Sequence, residues 1–164
     1  MKLAVCLASL GLLFADAAFE KRFLDMMSHH HEGGIEMAQA CQQKAVRAEL
    51  KQLCSKMASN QGLERQQMMD WLKSWYQDQG GMPKAELEKM MAEHKQHMAK
   101  LNTLKGEAFD RAFIGTMINH HQQGVMEARV CTGRADHAEL KQLCTKMRGD
   151  QEKEIATMRS WIRE

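Results

Sequence analysis

The stretch Phe19-Glu20-Lys21-Arg22-Phe23-Leu24-Asp25-Met26-Met27-Ser28-His29-His30-His31 is written again as Phe109-Asp110-Arg111-Ala112-Phe113-Ile114-Gly115-Thr116-Met117-Ile118-Asn119-His120-His121, and the fold follows from that repetition. The register holds without a gap beyond the quoted segment. Gly34, Ala38 and Cys41 return as Gly124, Ala128 and Cys131, and Glu49-Leu50-Lys51-Gln52-Leu53-Cys54 returns as Glu139-Leu140-Lys141-Gln142-Leu143-Cys144. Met57, Gln61, Glu64, Met68 and Trp71 likewise return as Met147, Gln151, Glu154, Met158 and Trp161. A gapless internal repeat of this length describes one supersecondary unit stacked on its copy.

The unit is a helical hairpin. At 3.6 residues per turn, Phe23, Met27, His30, His31, Gly34, Ala38 and Cys41 project within about 80 degrees of one another, so the histidine pair faces the core. Leu50, Leu53, Met57, Gln61, Glu64, Met68, Trp71 and Trp75 form a second stripe on the next helix, and Ala45 to Ala48 leaves room only for a tight turn. In the second copy, Asp136 followed by Glu139 reads as a capping box opening the return helix. Gln77 to Pro83, with Gly80-Gly81, reads as a linker. Pro83 suits the first turn of an extra helix reaching about Lys105, whose stripe is Met90, Met91, His94, His97, Met98, Leu101 and Leu104. The expectation is an all-α protein, a ferritin-like four-helix bundle built from two αα-hairpin repeats with an extra crossover helix. Residues 1–18 read as a signal peptide, 19–76 as the first hairpin, 77–107 as linker and extra helix, and 108–164 as the second hairpin of one bundle domain.

The signal reading rests on Lys2, an apolar run from Leu3 to Phe14 and the small-residue exit Ala15-Asp16-Ala17. The run is too short to span a bilayer, and Cys6 would leave with it. A secreted or periplasmic protein is expected, with no membrane segment after cleavage. The remaining chain is long enough to bury a core of its own. A formal net charge of +2 with both signs interspersed argues against nucleic acid as a partner, and nothing points to a particular protein partner. No nucleophile elbow, phosphate loop or zinc His-Glu-x-x-His motif is present, so no enzyme is expected.

Past the signal, methionine outnumbers leucine, 14 to 10. The slot three residues before a histidine, where iron-binding bundles of this shape carry glutamate, is here Met27 before His30, Met117 before His120 and Met91 before His94. Such spacing puts thioether and imidazole on one helix face, where they can share an ion. That donor set selects Cu(I), or Ag(I) as its mimic, over hard cations, while imidazoles alone can still hold Cu(II). The candidate ligands are therefore Met27, His30, His31, Met117, His120 and His121, with Met68 and Met158, one turn beyond the core glutamates, able to close the sites. Gln61, Glu64, Gln151 and Glu154 read as ligands or, preferably, as acceptors that fix a histidine tautomer. Met91, His94 and Met98 offer a further, more exposed site on the extra helix. The competing reading is that methionines fill core gaps and the histidines are hydrogen-bonded within the core. Repetition of the whole Met-x-x-His-His set weighs against it, since a buried imidazole needs a partner. His29, replaced by Asn119 in the second copy, and loop residue His137 are assigned no role.

Cys41 and Cys54 flank the first turn, and Cys131 and Cys144 the second. In an oxidising compartment one disulfide per hairpin is expected, Cys41 to Cys54 and Cys131 to Cys144. Pairing across the repeats, or thiolate ligation of copper in a reduced protein, are the alternatives.

Phe109-Asp110-Arg111-Ala112-Phe113, Met117-Ile118-Asn119-His120-His121-Gln122, Glu139-Leu140-Lys141 and the closing Gln151, Glu154-Ile155, Met158 and Trp161 resemble the signature of the domain-of-unknown-function 305 family, exported bacterial proteins that include CopM-like copper binders. The resemblance covers both repeats. It implies a ferritin-like bundle that binds copper through Met and His and serves copper tolerance outside the cytoplasm. It adds Met37, six residues past the second histidine, to the ligand set. The second copy carries Glu127 there, with Met126 on the opposite helix face. The cysteine pairs stand where the family usually has small residues, so the disulfides look like an addition.

The functional expectation is thus an exported protein that sequesters or buffers Cu(I). Two other classes remain open at this point: a di-metal oxidoreductase using Glu64 and Glu154, and a metal-free helical interaction module.

Overall fold

The computed structural model describes residues 6–162, with side-chain surroundings from residue 17 onward. The start of the proposed signal, residues 1–5, lies outside the described residues, as do the side chains of the apolar run. Five helices account for nearly all of the chain: α1 (Cys6–Lys44), α2 (Ala48–Tyr76), α3 (Lys84–Thr103), α4 (Gly106–Arg134) and α5 (Ala138–Trp161). No strand occurs among the described residues. α1 runs unbroken through residues 18 and 19, and among its residues with described side chains the first buried ones are Glu20 and Phe23. No helix of the described chain is long and apolar enough to cross a membrane.

Each repeat forms an antiparallel hairpin, α1 with α2 and α4 with α5, and the hairpins meet through α1 and α4. The core divides into two apolar clusters. One joins the closed end of the first hairpin (Cys41, Leu50, Cys54, Met57) to the start of α4 (Phe109, Phe113, Met117) and the end of α5 (Ile155, Met158). The other joins Phe23, Leu24, Met27 and Met68 to the closed end of the second hairpin, with Cys131, Leu140, Cys144 and Met147. The closed end of each hairpin therefore packs on the open end of the other. Between the clusters lies a layer of buried polar side chains: His30, His31, Gln61, Glu64, His121 and Gln151.

Disulfides Cys41–Cys54 and Cys131–Cys144 close the two hairpins, with Cα separations of 6.1 and 6.2 Å. This is the intra-hairpin pairing, so the cross-repeat and thiolate-ligand alternatives fall away.

Two features of the turns differ from expectation. No capping box forms at Asp136. The N-cap of α5 is His137, without a side-chain cap of its own, and the N–H groups of Asp136 and His137 donate to Glu20 Oε1 at 2.6 and 2.9 Å. The matching turn is served the same way, with Val46 and Arg47 donating to the carboxylate of Asp110 at 3.1 and 2.9 Å. Glu20 and Asp110 occupy equivalent repeat positions, so each repeat caps the return helix of the other. A buried carboxylate facing free N–H groups and the positive end of a helix dipole competes well with a local cap. Pro83, for its part, takes the N-cap position of α3 rather than its first turn, its extended ψ of 136° preceding the helix.

α3 is a lightly seated crossover. Only Leu101 of its residues is buried, and the inward side is carried by Met90, His94 and Met98, while Met91 is 61% exposed and His97 is exposed. Its two ends are fastened to α1. Lys44 Nζ donates to the carbonyls of Leu101 and Asn102 at 2.7 and 3.0 Å. At the other end Arg22 pairs with Glu86 at 2.7 Å.

Candidate metal centre

The polar layer is assembled by the repeat. His30 and His120 lie on the facing sides of α1 and α4, and their rings stack at a centroid distance of 3.7 Å with 18° between planes. His120 Nε2 donates to the main-chain oxygen of His30 at 3.1 Å. His31 and His121 turn instead into their own hairpins. His31 Nε2 lies 3.0 Å from Glu64 Oε2, and His121 Nε2 lies 2.6 Å from Glu154 Oε2. The other oxygen of Glu64 accepts from Lys146 of the opposite repeat at 2.9 Å.

These contacts fix the tautomers. A carboxylate oxygen accepts, so His31 and His121 donate through Nε2, and Nδ1 is the ring nitrogen left outside that contact. Burial pushes the Glu64 carboxyl up, but hydrogen bonds from His31 and Lys146 outweigh it and hold the group below its ordinary value. His120, donating through Nε2, likewise leaves Nδ1 bare. Each of those Nδ1 atoms is buried without a partner, as are both ring nitrogens of His30. Burial first, then the neighbouring His31 and His121, push His30 down to about 3, and burial followed by His30 and His121 pushes His120 well below its usual value. His30 and His120 are therefore neutral imidazoles with unused lone pairs, the state in which histidine ligates metal.

The glutamines fill the space left by glycine. Gly34 and Gly124 have no Cβ, and a Cβ there would collide with Gln61 and Gln151 respectively. Gln61 Oε1 and Nε2 and Gln151 Oε1 are also buried without partners. So many unmet polar atoms in one layer each carry a desolvation penalty of about 1–3 kcal/mol, which a bound ion and its ligand shell would offset.

Of the expected thioethers, Met37 lines a cavity of about 60 Å³ whose walls also include His30 and His120. Met27 and Met68 sit together in one apolar cluster and Met117 and Met158 in the other, and none of the four is a wall of that cavity. The equivalent of Met37, Glu127, is partly exposed, so the thioether complement is asymmetric. Met91, His94 and Met98 line an open groove between α3 and α1, and His94, whose Nε2 is engaged at 2.7 Å by Glu36, is also a wall of the cavity that holds Met37, His30 and His120. Among the described residues no group of three or more His, Cys, Asp or Glu side chains is arranged to hold a metal ion. An ion in the layer would thus draw on imidazole and thioether together, a donor set that fits a soft ion.

Two residues escaped the sequence reading. Glu20 accepts not only the two turn N–H groups but also Tyr76 Oη at 2.5 Å and His137 Nδ1 at 2.6 Å, and the His137 ring stacks on Trp75 at 3.8 Å. His137 therefore has a structural role as a clasp between α1, α2 and α5. The only sequence signal was the acidic Glu20/Asp110 pair kept at equivalent repeat positions.

Among solved structures, the chain is similar to CopM in its Cu(II)-bound form at 30% identity and a TM-score of 0.74, covering 88% of this chain and 96% of that one. It is similar to CopM in its Cu(I)-bound form at 30% identity and a TM-score of 0.73, covering 88% and 95%. A presumed secreted DUF305 protein from Streptomyces coelicolor matches at 28% identity and a TM-score of 0.72, covering 88% and 89%. No functionally curated protein matches the chain. Residues 20–162 match the family model described as Domain of unknown function (DUF305), so both hairpins and the crossover helix fall within it, and the chain belongs to the DUF305 family.

Proposed function

We propose that this protein is an exported copper-binding protein that sequesters or buffers Cu(I), with Ag(I) and Cu(II) as further ions it accepts, and that it serves copper tolerance. The observation that carries the reading is the layer of imidazoles His30, His31, His120 and His121, each with at least one buried, unpartnered ring nitrogen, set between methionine-rich clusters. Its similarity to CopM, solved with Cu(I), Cu(II) and Ag bound, supports the same assignment. Export is supported by the two disulfides, which persist in oxidising compartments. The apolar start of the chain would be its signal peptide. Glu64 and Glu154 act as tautomer-fixing acceptors, and no observation favours the di-metal oxidoreductase. The protein's role is binding rather than catalysis.

The test is a Cu(I) titration of the mature protein against a competing chelator, beside a variant with His30, His31, His120 and His121 changed to Ala. Loss of high-affinity binding in the variant is expected. Equal affinity in both would end the reading.

A further inference from the structure

Four methionines outside the histidine layer, Met26, Met82, Met90 and Met126, border one surface groove of about 270 Å³, and His30 also lines it. They come from three separate places: Met26 from α1, Met82 and Met90 from the linker and α3, Met126 from α4. Neither helical periodicity nor the repeat requires them to meet.

Placement of Met82 is built into the fold. Gly81 passes so close to α1 that a Cβ on it would lie 2.5 Å from the main-chain nitrogen of Arg22, an approach that only glycine allows. One residue on, the Met82 N–H donates to Asp25 Oδ2 at 2.9 Å. The Arg22–Glu86 pair closes the same corner. Together these contacts set Met82 beside Met26, and both pack with Met90 around the second apolar cluster.

Packing alone does not account for the fourth member. Met126 is 62% exposed and belongs to neither core cluster, so its thioether faces the groove without an apolar burial to justify it. At the inner end, His30 is only 7% exposed and has no hydrogen-bond partner on either ring nitrogen. His30, Met90, Glu93 and Gln123 are shared walls of this groove and of the cavity that holds His120 and Met37. The groove, whose rim also carries Arg22, Lys89, Glu86 and Glu127, therefore leads from solvent to the histidine layer past four thioethers.

We propose that this methionine groove is a second, shallower site for a soft monovalent ion, taking up Cu(I) from outside and passing it to His30. The proposal rests on the copper reading of the histidine layer. Thioethers bind Cu(I) without competing protons and exchange readily, whereas hard cations have no affinity for them. The transfer is a ligand exchange. A sulfur–copper bond breaks as a lone pair of His30 forms a nitrogen–copper bond, the copper stays Cu(I), and no proton leaves the ring.

The probe is Ag(I), which is soft, monovalent and redox-inert, followed on protein carrying ¹³C-methyl methionine and ¹⁵N-histidine, together with the rate of Cu(I) transfer from a chromophoric chelator. Compared are the wild type, the near-isosteric variant M26L/M82L/M90L/M126L and the variant H30A/H120A. Expected are Ag(I)-dependent shifts of the Met26, Met82, Met90 and Met126 methyls in the wild type. In the leucine variant one equivalent of Ag(I) is lost and Cu(I) loading is at least tenfold slower, with histidine resonances at saturation unchanged. The groove shifts persist in H30A/H120A. Unaltered stoichiometry and loading rate in a folded leucine variant would overturn the groove. If groove methyls respond in the wild type but no histidine resonance does, the groove stands as a binding site and the hand-over and the histidine-layer reading fail. If no ion binds at all, both fail.

Discussion

His120 donates from Nε2 to the main-chain oxygen of His30 at 3.1 Å while their rings stack at 3.7 Å, so a residue and its own repeat copy meet face to face where the two hairpins join. The contact consumes the one N–H of His120 and leaves its second nitrogen, and both of those on His30, without a partner. Such an arrangement is poorly matched to stability of the metal-free protein and well matched to an ion.

The first prediction concerns that mismatch. Replacing both rings with leucine removes the unmet polar atoms together, which is neutral to stabilising by about 1 kcal/mol. The metal-free H30L/H120L protein is expected to melt at or above the wild-type temperature. Added Cu(I), which raises the wild-type Tm by binding the folded state, has a much smaller effect on the variant. Thermal melts with and without Cu(I) measure both. A Tm loss above about 10 °C in the metal-free variant would show that the imidazoles are needed for packing.

Glu64 and Glu154 orient His31 and His121 from 3.0 and 2.6 Å. Substitution by Gln keeps the shape and removes the charge that fixes the tautomer. E64Q and E154Q are each expected to weaken copper binding roughly ten- to a hundred-fold. Chelator competition measures the affinity, with circular dichroism checking that helicity is kept. Undiminished affinity in both would remove the glutamates from the site.

Glu20 gives the protein an acid-sensitive clasp. Burial pushes its carboxyl up, yet the bonds from Tyr76, His137 and Asp136 outweigh burial and hold it below its ordinary 4.5. A group lower in the folded state than in the unfolded one contributes stability that is complete above its unfolded value and is lost as pH falls through the folded one. E20Q is therefore expected to be less stable than wild type at pH 7, by about 1–3 kcal/mol. The gap narrows below about pH 4, where the wild-type carboxylate is protonated too. Urea unfolding across pH checks this, and a gap independent of pH would refute it.

Each disulfide spans 13 residues at the closed end of its hairpin. Loops of this size contribute about 2–3 kcal/mol by restricting the unfolded chain. C41S/C54S and C131S/C144S should each lose about that much in urea unfolding, and the four-fold variant close to the sum. Copper affinity of the folded protein should be unchanged. A fall in affinity would mean that the staples also hold the histidine layer in place.

Much of the molecule is legible in the chain because its determinants are local. The helical period placed His30, His31, Gln61 and Glu64 on core-facing stripes, and a 33-residue separation repeated in the second copy is what brings His31 to Glu64 and His121 to Glu154. The cysteine positions flanking each short turn left the hairpin pairing as the natural one. The expected capping box failed because a cap from Glu20, more than a hundred residues away in sequence, supplies the same N–H groups with a buried charge. Met91 failed as the inward residue of α3 because a lone amphipathic stripe does not say how a crossover helix is rotated, and the clamps at Arg22 and Lys44 turn Met90 inward instead.

By itself the sequence determined the helices, their pairing into two hairpins and the soft character of the side chains facing inward, since each depends on residues within one or two turns or one hairpin of each other. Tertiary structure alone decided that His30 meets His120, that each repeat caps the other, and that Met26, Met82, Met90 and Met126 share a groove. Those relationships depend on how two finished hairpins and a crossover helix dock, a long-range choice made by shape and buried charge that no periodicity along the chain records.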